Sequence, residues 1–345
     1  MTRHNPPGPI RVLTALWVVT VLMASLSACG GDQHGSPSSG ARKFTVVLDW
    51  TPNTNHSGIY LAKANGWYRD AGLDVDVIQP GQSTSSTDLL AAGKADVAVA
   101  ASEDIVAARS QGLPVQSIAA IIQHNTSSLV ALRKSGIKGL ADLPGHTYGG
   151  FGGPLEEALV KKFTACGGGD PAKVKFVTAG DADYRVGMTR GDYDFVWIFD
   201  GWDGIRYSQF DKLDITRIPF IAHTNCIPDW YTPVLATRDD LPADRKARVK
   251  AFMAATARGY RTAMTHPDQA ASALIKAVPE IDAPLVRASA AYLAPRYADD
   301  PQRWGQQDAA VWERFATFVH TSGLAKKAID ARQAFTNDYL PSASG

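Results

Sequence analysis

Residues 48–60 read Leu-Asp-Trp-Thr-Pro-Asn-Thr-Asn-His-Ser-Gly-Ile-Tyr, and this stretch decides how the folded part of the chain begins. The apolar run Phe44–Leu48 favours a buried strand, and the apolar residues between Ile59 and Ala64 have the spacing of a helix. Pro52 and Asn53 are turn formers. The stretch therefore predicts a strand that enters a helix through a polar loop, which is the repeating unit of an α/β fold.

The same alternation continues along the chain. Further strands are predicted at 73–78, 96–100, 174–177 and 195–199, and further helices before Gly93 and at 102–111, 154–164, 244–265 and 309–322. Because the pattern restarts near residue 145 and becomes nearly all helical after residue 241, we expect two α/β lobes and a helical C-terminal tail. Ligands of such folds bind at the carboxyl ends of strands, in the cleft between lobes.

The N-terminus has the pattern of an export signal. Arg3 and Arg11 precede the apolar run 12–24, which is too short to span a bilayer as a helix. The following Leu-Ser-Ala-Cys, ending at Cys29, resembles the lipobox of bacterial lipoproteins. We expect residues 1–28 to be a signal peptide, Cys29 to carry lipid and residues 29–43 to be a flexible tether outside the cell membrane. The alternative is an ordinary secretory signal with a chance cysteine.

Composition excludes several classes of function. The net charge is +1 and the chain has no basic run, which argues against nucleic-acid binding. With Cys29 consumed by lipid, Cys166 and Cys226 remain, and we expect two free, buried thiols, although a pairing stays open. No Cys/His cluster has metal-ligand spacing, so neither a metal nor a cofactor is expected. We expect a monomer.

The loop 48–60 resembles the opening segment of ThiY-like proteins, the extracytoplasmic binding proteins for thiamine pyrimidine precursors. Similar family segments follow in order at 64–68, 72–75, 90–97, 152–157 and 227–231. The resemblance implies a two-lobed periplasmic-binding-protein fold (type II) that closes over its ligand. It places lobe 1 at 44–130 plus 235–343, lobe 2 at 131–234, and hinges near Ser127–Arg133 and Thr232–Thr237. It also implies delivery of a small molecule to an ABC permease.

A flat aminopyrimidine needs aromatic faces for stacking and polar groups for its edge. The candidate ligand-binding residues are Trp50, Asn53, His56, Tyr60, Gly152, Gly153, Glu156, Trp202, Asp203 and Trp230. Structural alternatives are a turn role for Asn53, a cap for His56, a first-turn role for Glu156 and a core position for Trp230.

Asp203 bears most on the choice of ligand. ThiY-like relatives are expected to pair a glutamate with the pyrimidine edge at this place, and Asp203 is one methylene shorter. A helix cap at Gly204 or a hinge salt bridge are its structural alternatives. Other cargoes are a flavin, or a small sulfonate or nitrate-like solute, although the cleft loops contain almost no Arg or Lys.

An enzyme and a sensor are the alternatives to a transport function. Related eukaryotic enzymes synthesise the pyrimidine with iron and a histidine–cysteine cluster, which this chain lacks. We therefore do not expect an enzyme. A sensor that passes closure to a membrane kinase is the second, and the sequence leaves it open.

Overall fold

The computed structural model describes residues 40–81, 84–180, 182–325 and 327–342. The expected signal peptide, Cys29 and tether residues 29–39 lie outside the described residues. The first strand begins at Arg42, so the last two residues assigned to the tether belong to a sheet. Within the described ranges, no helix has both the length and the apolar character needed to cross a membrane.

Five strands form the first sheet in the order β2-β1-β3-β10-β4. Their bounds are β1 Arg42–Val47, β2 Leu73–Ile78, β3 Val97–Ala100, β4 Val115–Ala120 and β10 Val234–Arg238. Strand β1 is parallel to β2 and β3, whereas β10 is antiparallel to both of its neighbours. The parallel strands β1 and β3 therefore end at the same edge of the sheet.

Five more strands form the second sheet in the order β7-β6-β8-β5-β9. Their bounds are β5 Ser127–Leu132, β6 Thr147–Gly150, β7 Lys175–Thr178, β8 Phe195–Phe199 and β9 Ile215–Pro219. Because β5 is paired with β8 and β9, the first crossing between the sheets lies before Ser127 and not in the expected hinge Ser127–Arg133. The second crossing precedes β10. The exact lobe boundaries stay a prediction.

Ten α-helices connect and cover the sheets in the described part of the chain. They are α1 Ser57–Ala64, α2 Trp67–Asp70, α3 Ser86–Ala91, α4 Ser102–Ser110, α5 Pro154–Cys166, α6 Tyr184–Arg190, α7 Ala243–Thr265, α8 Pro267–Ala277, α9 Ala283–Leu293 and α10 Ala309–Thr321. The C-terminal helices α7, α8 and α9 share one apolar core with α1 and the first sheet. A second core continues from the first sheet into the second.

Cys166 and Cys226 form a disulfide, so the expectation of two free, buried thiols is wrong. Their Cα atoms are 5.7 Å apart, within the usual range for a bridge. Cys166 ends helix α5 of the second lobe, and Cys226 lies in the chain that returns to the first sheet. Sequence reasoning missed the pair because only the fold brings residues 60 positions apart into reach.

The two crossings are joined to each other by Asp229. Its carboxylate accepts a hydrogen bond from the Asn125 N–H at 2.9 Å and lies 2.6 Å from Nδ1 of His124. His124 also lies 3.3 Å from Asp299, which follows α9. The hydrogen bond with Asp229 raises the pKa of His124 to about 9, although partial burial opposes the shift.

We expect Asp229→Asn to lower the pKa of His124 toward its ordinary value of 6.5. Because the raised pKa belongs to the folded state, the pair stabilises the protein fully below pH 6.5, and this contribution disappears as the pH rises through about 9. His124 is exposed, so the contribution is only about 0.5 kcal/mol. An NMR titration of the histidines measures the shift, and an unchanged His124 pKa would contradict the assignment.

Candidate functional site

The loops at the carboxyl ends of β1 and β8 meet at helix α9. Ser289 of α9 joins them, because its hydroxyl contacts the Thr54 hydroxyl and donates to the carbonyl oxygen of Gly201. Trp202 in turn packs against the core of the first lobe. The structure therefore brings the predicted segments 50–60 and 202–203 close together, and a ligand cleft between them stays a prediction.

The loop after β1 is held by its own polar side chains. Asn53 is buried, accepts a hydrogen bond from the Asn55 N–H at 2.9 Å and donates to the Thr51 carbonyl at 3.0 Å. The Asn53 N–H donates to Nδ1 of His56 at 3.1 Å, which leaves Nε2 of His56 to donate to Asp49 at 2.8 Å. These bonds give Asn53 the role of a turn residue and His56 the role of a cap, the structural alternatives to ligand binding. Their effect on the cleft is to orient the carboxylate of Asp49.

Two aromatic residues flank this loop. Trp50 is 51% exposed, whereas Tyr60 is 8% exposed on α1. Burial raises the pKa of Tyr60 to about 12, so its phenol is neutral and able to donate a hydrogen bond. An exposed indole beside a cleft is available for stacking, and contact of either residue with a ligand stays a prediction.

The glycine loop before α5 is occupied by Glu156. The Glu156 carboxylate accepts the N–H groups of Phe151, Gly152 and Gly153 at 2.8 to 3.1 Å and the Tyr148 hydroxyl at 3.1 Å. Four donors satisfy this carboxylate. Glu156 therefore has a structural role in the first turn of α5, where it caps the helix N-terminus. A ligand would have to displace Glu156 to reach these amides.

Asp203 lies in a π-helical turn, Asp200–Gly204, directly after β8. Such turns are rare and occur frequently at functional sites. Burial raises the pKa of Asp203 to about 6, and the positive charge of Arg206 opposes the shift. Asp200 anchors the turn, because its carboxylate accepts the Ser128 hydroxyl at 2.7 Å and lies 3.6 Å from Arg217.

Trp230 is 1% exposed and stacks on Phe315 with ring centroids 5.1 Å apart. This is the core position that was its structural alternative to ligand binding. The buried indole N–H of Trp230 faces the carboxylate of Glu103, in the first turn of α4, and one oxygen of that carboxylate is equally shielded from solvent. Burial raises the pKa of Glu103 to about 8, the charge of Asp104 raises it further, and the Trp230 indole opposes the shift.

Three more carboxylates lie near enough to Glu103 or to one another to interact electrostatically. Asp104 follows Glu103 in α4, Asp88 lies on α3, and Asp49 follows β1. Desolvation of the Asp104 carboxylate, on a residue that still has an exposed surface, raises its pKa to about 6, and the charges of Asp88 and Asp49 raise it further. In the described part of the chain, Asp88, Asp104 and Glu103 have no cationic partner, and the partner of Asp49 is His56. We call Asp49, Asp88, Glu103 and Asp104 the acidic cluster.

Sequence reasoning missed the acidic cluster apart from the position of Asp49 in the opening motif. Glu103 and Asp104 read as ordinary first-turn residues that a helix dipole favours. The available signal was their place after β3, since β1 and β3 run parallel and their loops meet at one edge of the sheet. Among the described residues, no group of three or more His, Cys, Asp or Glu side chains is arranged to hold a metal ion.

Glu103 predicts a pH dependence of stability. Its carboxyl stays protonated in the folded protein up to about pH 8, whereas the unfolded chain ionises it above its ordinary value of 4.5. The unfolded state therefore binds fewer protons between these values, and the free energy of unfolding falls by about 1.4 kcal/mol per pH unit as the pH rises. Asp104 adds to the fall up to about pH 6.

We expect Glu103→Gln to flatten this fall, because an amide does not ionise. Urea unfolding at pH 5, 6, 7 and 8 measures the slope for the variant and the wild type. Glu157→Gln is the matched control, since Glu157 is an exposed helix residue paired with Lys161. Parallel profiles for the wild type and Glu103→Gln would show that Glu103 is not the titrating group.

The fold shows which class of protein this chain resembles. The chain is similar to the periplasmic aliphatic sulphonate binding protein SsuA from Escherichia coli, with a TM-score of 0.65 at 16% identity over 85% of this chain and 91% of that chain. The architecture is therefore the two-lobed α/β fold of periplasmic binding proteins, as the sequence predicts.

The family is shown by sequence. Residues 53–270 match the family described as NMT1/THI5 like, and the chain belongs to this family. It is 26% identical to the formylaminopyrimidine-binding protein of Halalkalibacterium halodurans over 93% of this chain and 98% of that protein. It is 24% identical to a 4-amino-5-hydroxymethyl-2-methylpyrimidine phosphate synthase of Legionella pneumophila over 88% of this chain and 94% of that protein.

Proposed function

We propose that this protein binds a small amine-bearing heterocycle of the thiamine pyrimidine precursor type in the cleft, outside the cell membrane. Closure of the lobes over the ligand is then read by an ABC permease. The expected lipid on Cys29 holds the protein near that permease. The similarity to a formylaminopyrimidine-binding protein supports this choice of ligand.

The observation that carries the proposal is the acidic cluster, whose Asp88, Glu103 and Asp104 have no cationic partner in the described part of the chain. An exocyclic amine and a ring N–H donate to carboxylates, while a ring nitrogen accepts from an indole N–H or a protonated carboxyl. Unpaired carboxylates attract amines and repel anions, so a sulfonate or nitrate is disfavoured. A flavin has the aromatic face but fewer amine donors for the cluster.

Synthesis of the pyrimidine is a poorer fit to this chain. In the described residues, Cys166 and Cys226 are bonded to each other, so neither sulfur is a free thiolate ligand. The enzymatic name of the Legionella relative therefore does not favour an enzyme here, because the cysteine chemistry expected of such a site is absent from these two positions.

The test is a thermal-shift titration of the full chain in an uncharged detergent. The panel holds formylaminopyrimidine, thiamine, riboflavin and an alkylsulfonate. At one hundred times its dissociation constant, a ligand adds about 2.7 kcal/mol of stability, which is a clear shift. We expect the aminopyrimidine to give it. A shift with the sulfonate alone would overturn the choice of ligand.

Two variants locate the site. Asp104→Asn removes a charge-assisted hydrogen bond and should weaken aminopyrimidine binding roughly ten-fold or more. Asp203→Asn tests the carboxylate of the second lobe in the same way. Asp76→Asn is the matched control, since Asp76 is an exposed residue of β2. Equal affinity of the wild type and Asp104→Asn would remove the acidic cluster from the site.

A further inference from the structure

A second groove, of about 690 Å³, lies along the last turns of α7 and the start of α8. The side chains that matter here are Arg258, Arg261, Thr265, His266 and Gln302. None of the candidate residues of the cleft lines this groove. Its volume is in the range of small-molecule sites.

Two arginines supply the charge of the groove. Arg258 and Arg261 are three residues apart on α7, so their side chains share one face of the helix. The Arg258 guanidinium lies over the Trp67 ring at 3.9 Å, and Arg261 donates to the Gln302 carbonyl at 3.2 Å. In the described ranges, neither guanidinium has a carboxylate partner, and no Asp or Glu lines the groove.

Arg261 is also incompletely satisfied. Its Nε–H is buried and has no hydrogen-bond partner in the described part of the chain. Leaving a charged donor buried and unpartnered costs more than leaving a neutral one, so an acceptor placed at this Nε–H would stabilise the arrangement. The start of α8 adds the partial positive charge of a helix N-terminus, which the first-turn carboxylate of Asp268 offsets in part. The Thr265 hydroxyl lies 2.8 Å from Nδ1 of His266.

We propose that this groove binds a phosphate group between the guanidinium groups of Arg258 and Arg261. The planar fork of an arginine matches two oxygens of a phosphate. The phosphate is either inorganic or the phosphodiester of a lipid headgroup, and both present the same oxygens. The inference does not rest on the function proposed for the cleft, whose acidic cluster favours ligands of the opposite charge.

The experiment titrates sodium phosphate into the full chain in an uncharged detergent at constant ionic strength and follows thermal unfolding. At ten times the dissociation constant, we expect a saturable rise of roughly 2 to 4 °C. The double variant Arg258→Gln/Arg261→Gln should bind at least ten-fold more weakly. Arg245→Gln is the matched control, because Arg245 is exposed on the same helix and should leave the shift unchanged.

Glycerophosphoglycerol, a soluble phosphodiester headgroup, forms the second arm of the experiment. Binding of the diester supports a lipid source, and binding of inorganic phosphate alone supports a free one. The variant Arg258→Lys/Arg261→Lys keeps the charge without the fork, so an intermediate loss supports bidentate recognition. No shift of the wild type with either probe, or equal shifts of the wild type and the double glutamine variant, would overturn the proposal.

Discussion

Removing the disulfide with Cys166→Ala/Cys226→Ala should lower the free energy of unfolding by about 4 kcal/mol, the largest effect that we expect of any substitution here. The bridge closes a loop with a sequence separation of 60 residues, and cross-linking a loop of this length removes conformational entropy from the unfolded chain. It also fastens the second crossing to helix α5. Urea unfolding in non-reducing buffer measures the loss.

The wild type with a reductant is the internal control for this prediction. Reduction should reproduce the instability of the double variant, whereas the variant itself should not respond to the reductant. A wild-type unfolding curve that is the same with and without reductant would contradict a stabilising bridge.

The second large effect is expected of Gly259→Ala. Alanine normally stabilises a helix interior by about 1 kcal/mol relative to glycine. At this position, however, a Cβ atom would lie 2.1 Å from the carbonyl oxygen of Gly58, because α7 and α1 pack with their backbones in contact. Since backbone atoms cannot move aside cheaply, we expect a net loss of about 3 kcal/mol in the free energy of unfolding.

The packing of α7 against α1 also supports the loop that follows β1. Tyr260 packs against Gly58, stacks on Trp304 at 4.3 Å and donates its hydroxyl to the Asn55 carbonyl at 2.7 Å. Separating the two helices should therefore loosen the loop that orients Asp49. Gly81→Ala is the control, because nothing lies within 4 Å of a Cβ at that position. A variant Gly259→Ala as stable as the wild type would show that α1 and α7 do not pack this closely.

This contact also explains part of the opening motif. Gly58 lies in the stretch that most resembles the family, where a glycine invites interpretation as a ligand contact. A Cβ atom on Gly58 would lie 2.3 Å from the Tyr260 ring, so helix packing alone requires a glycine there. Asn53 and His56 likewise build the loop through hydrogen bonds. Several residues of the motif are therefore required for the fold of the loop, whether or not they contact a ligand.

Local patterns in the sequence were sufficient for the fold class and for some of the elements, whereas strands such as β4 and β9 were not predicted. Strand β2 has the bounds that its alternation predicts, and α7 begins within one residue of the prediction and ends at Thr265 as expected. These features depend on side-chain periodicity and on caps, which act between neighbours in the chain. The resemblance carried by residues 48–60 was sufficient for the family.

Only the tertiary structure decided which distant residues meet. It paired Cys166 with Cys226, moved the first crossing between the sheets ahead of Ser127, and gathered Asp49, Asp88, Glu103 and Asp104 at one edge of the first sheet. Periodicity reports whether a residue is buried, but it does not report which residue of another element lies opposite. That choice is made by the order of strands in the sheets and by helix packing, where contacts join residues far apart in the chain.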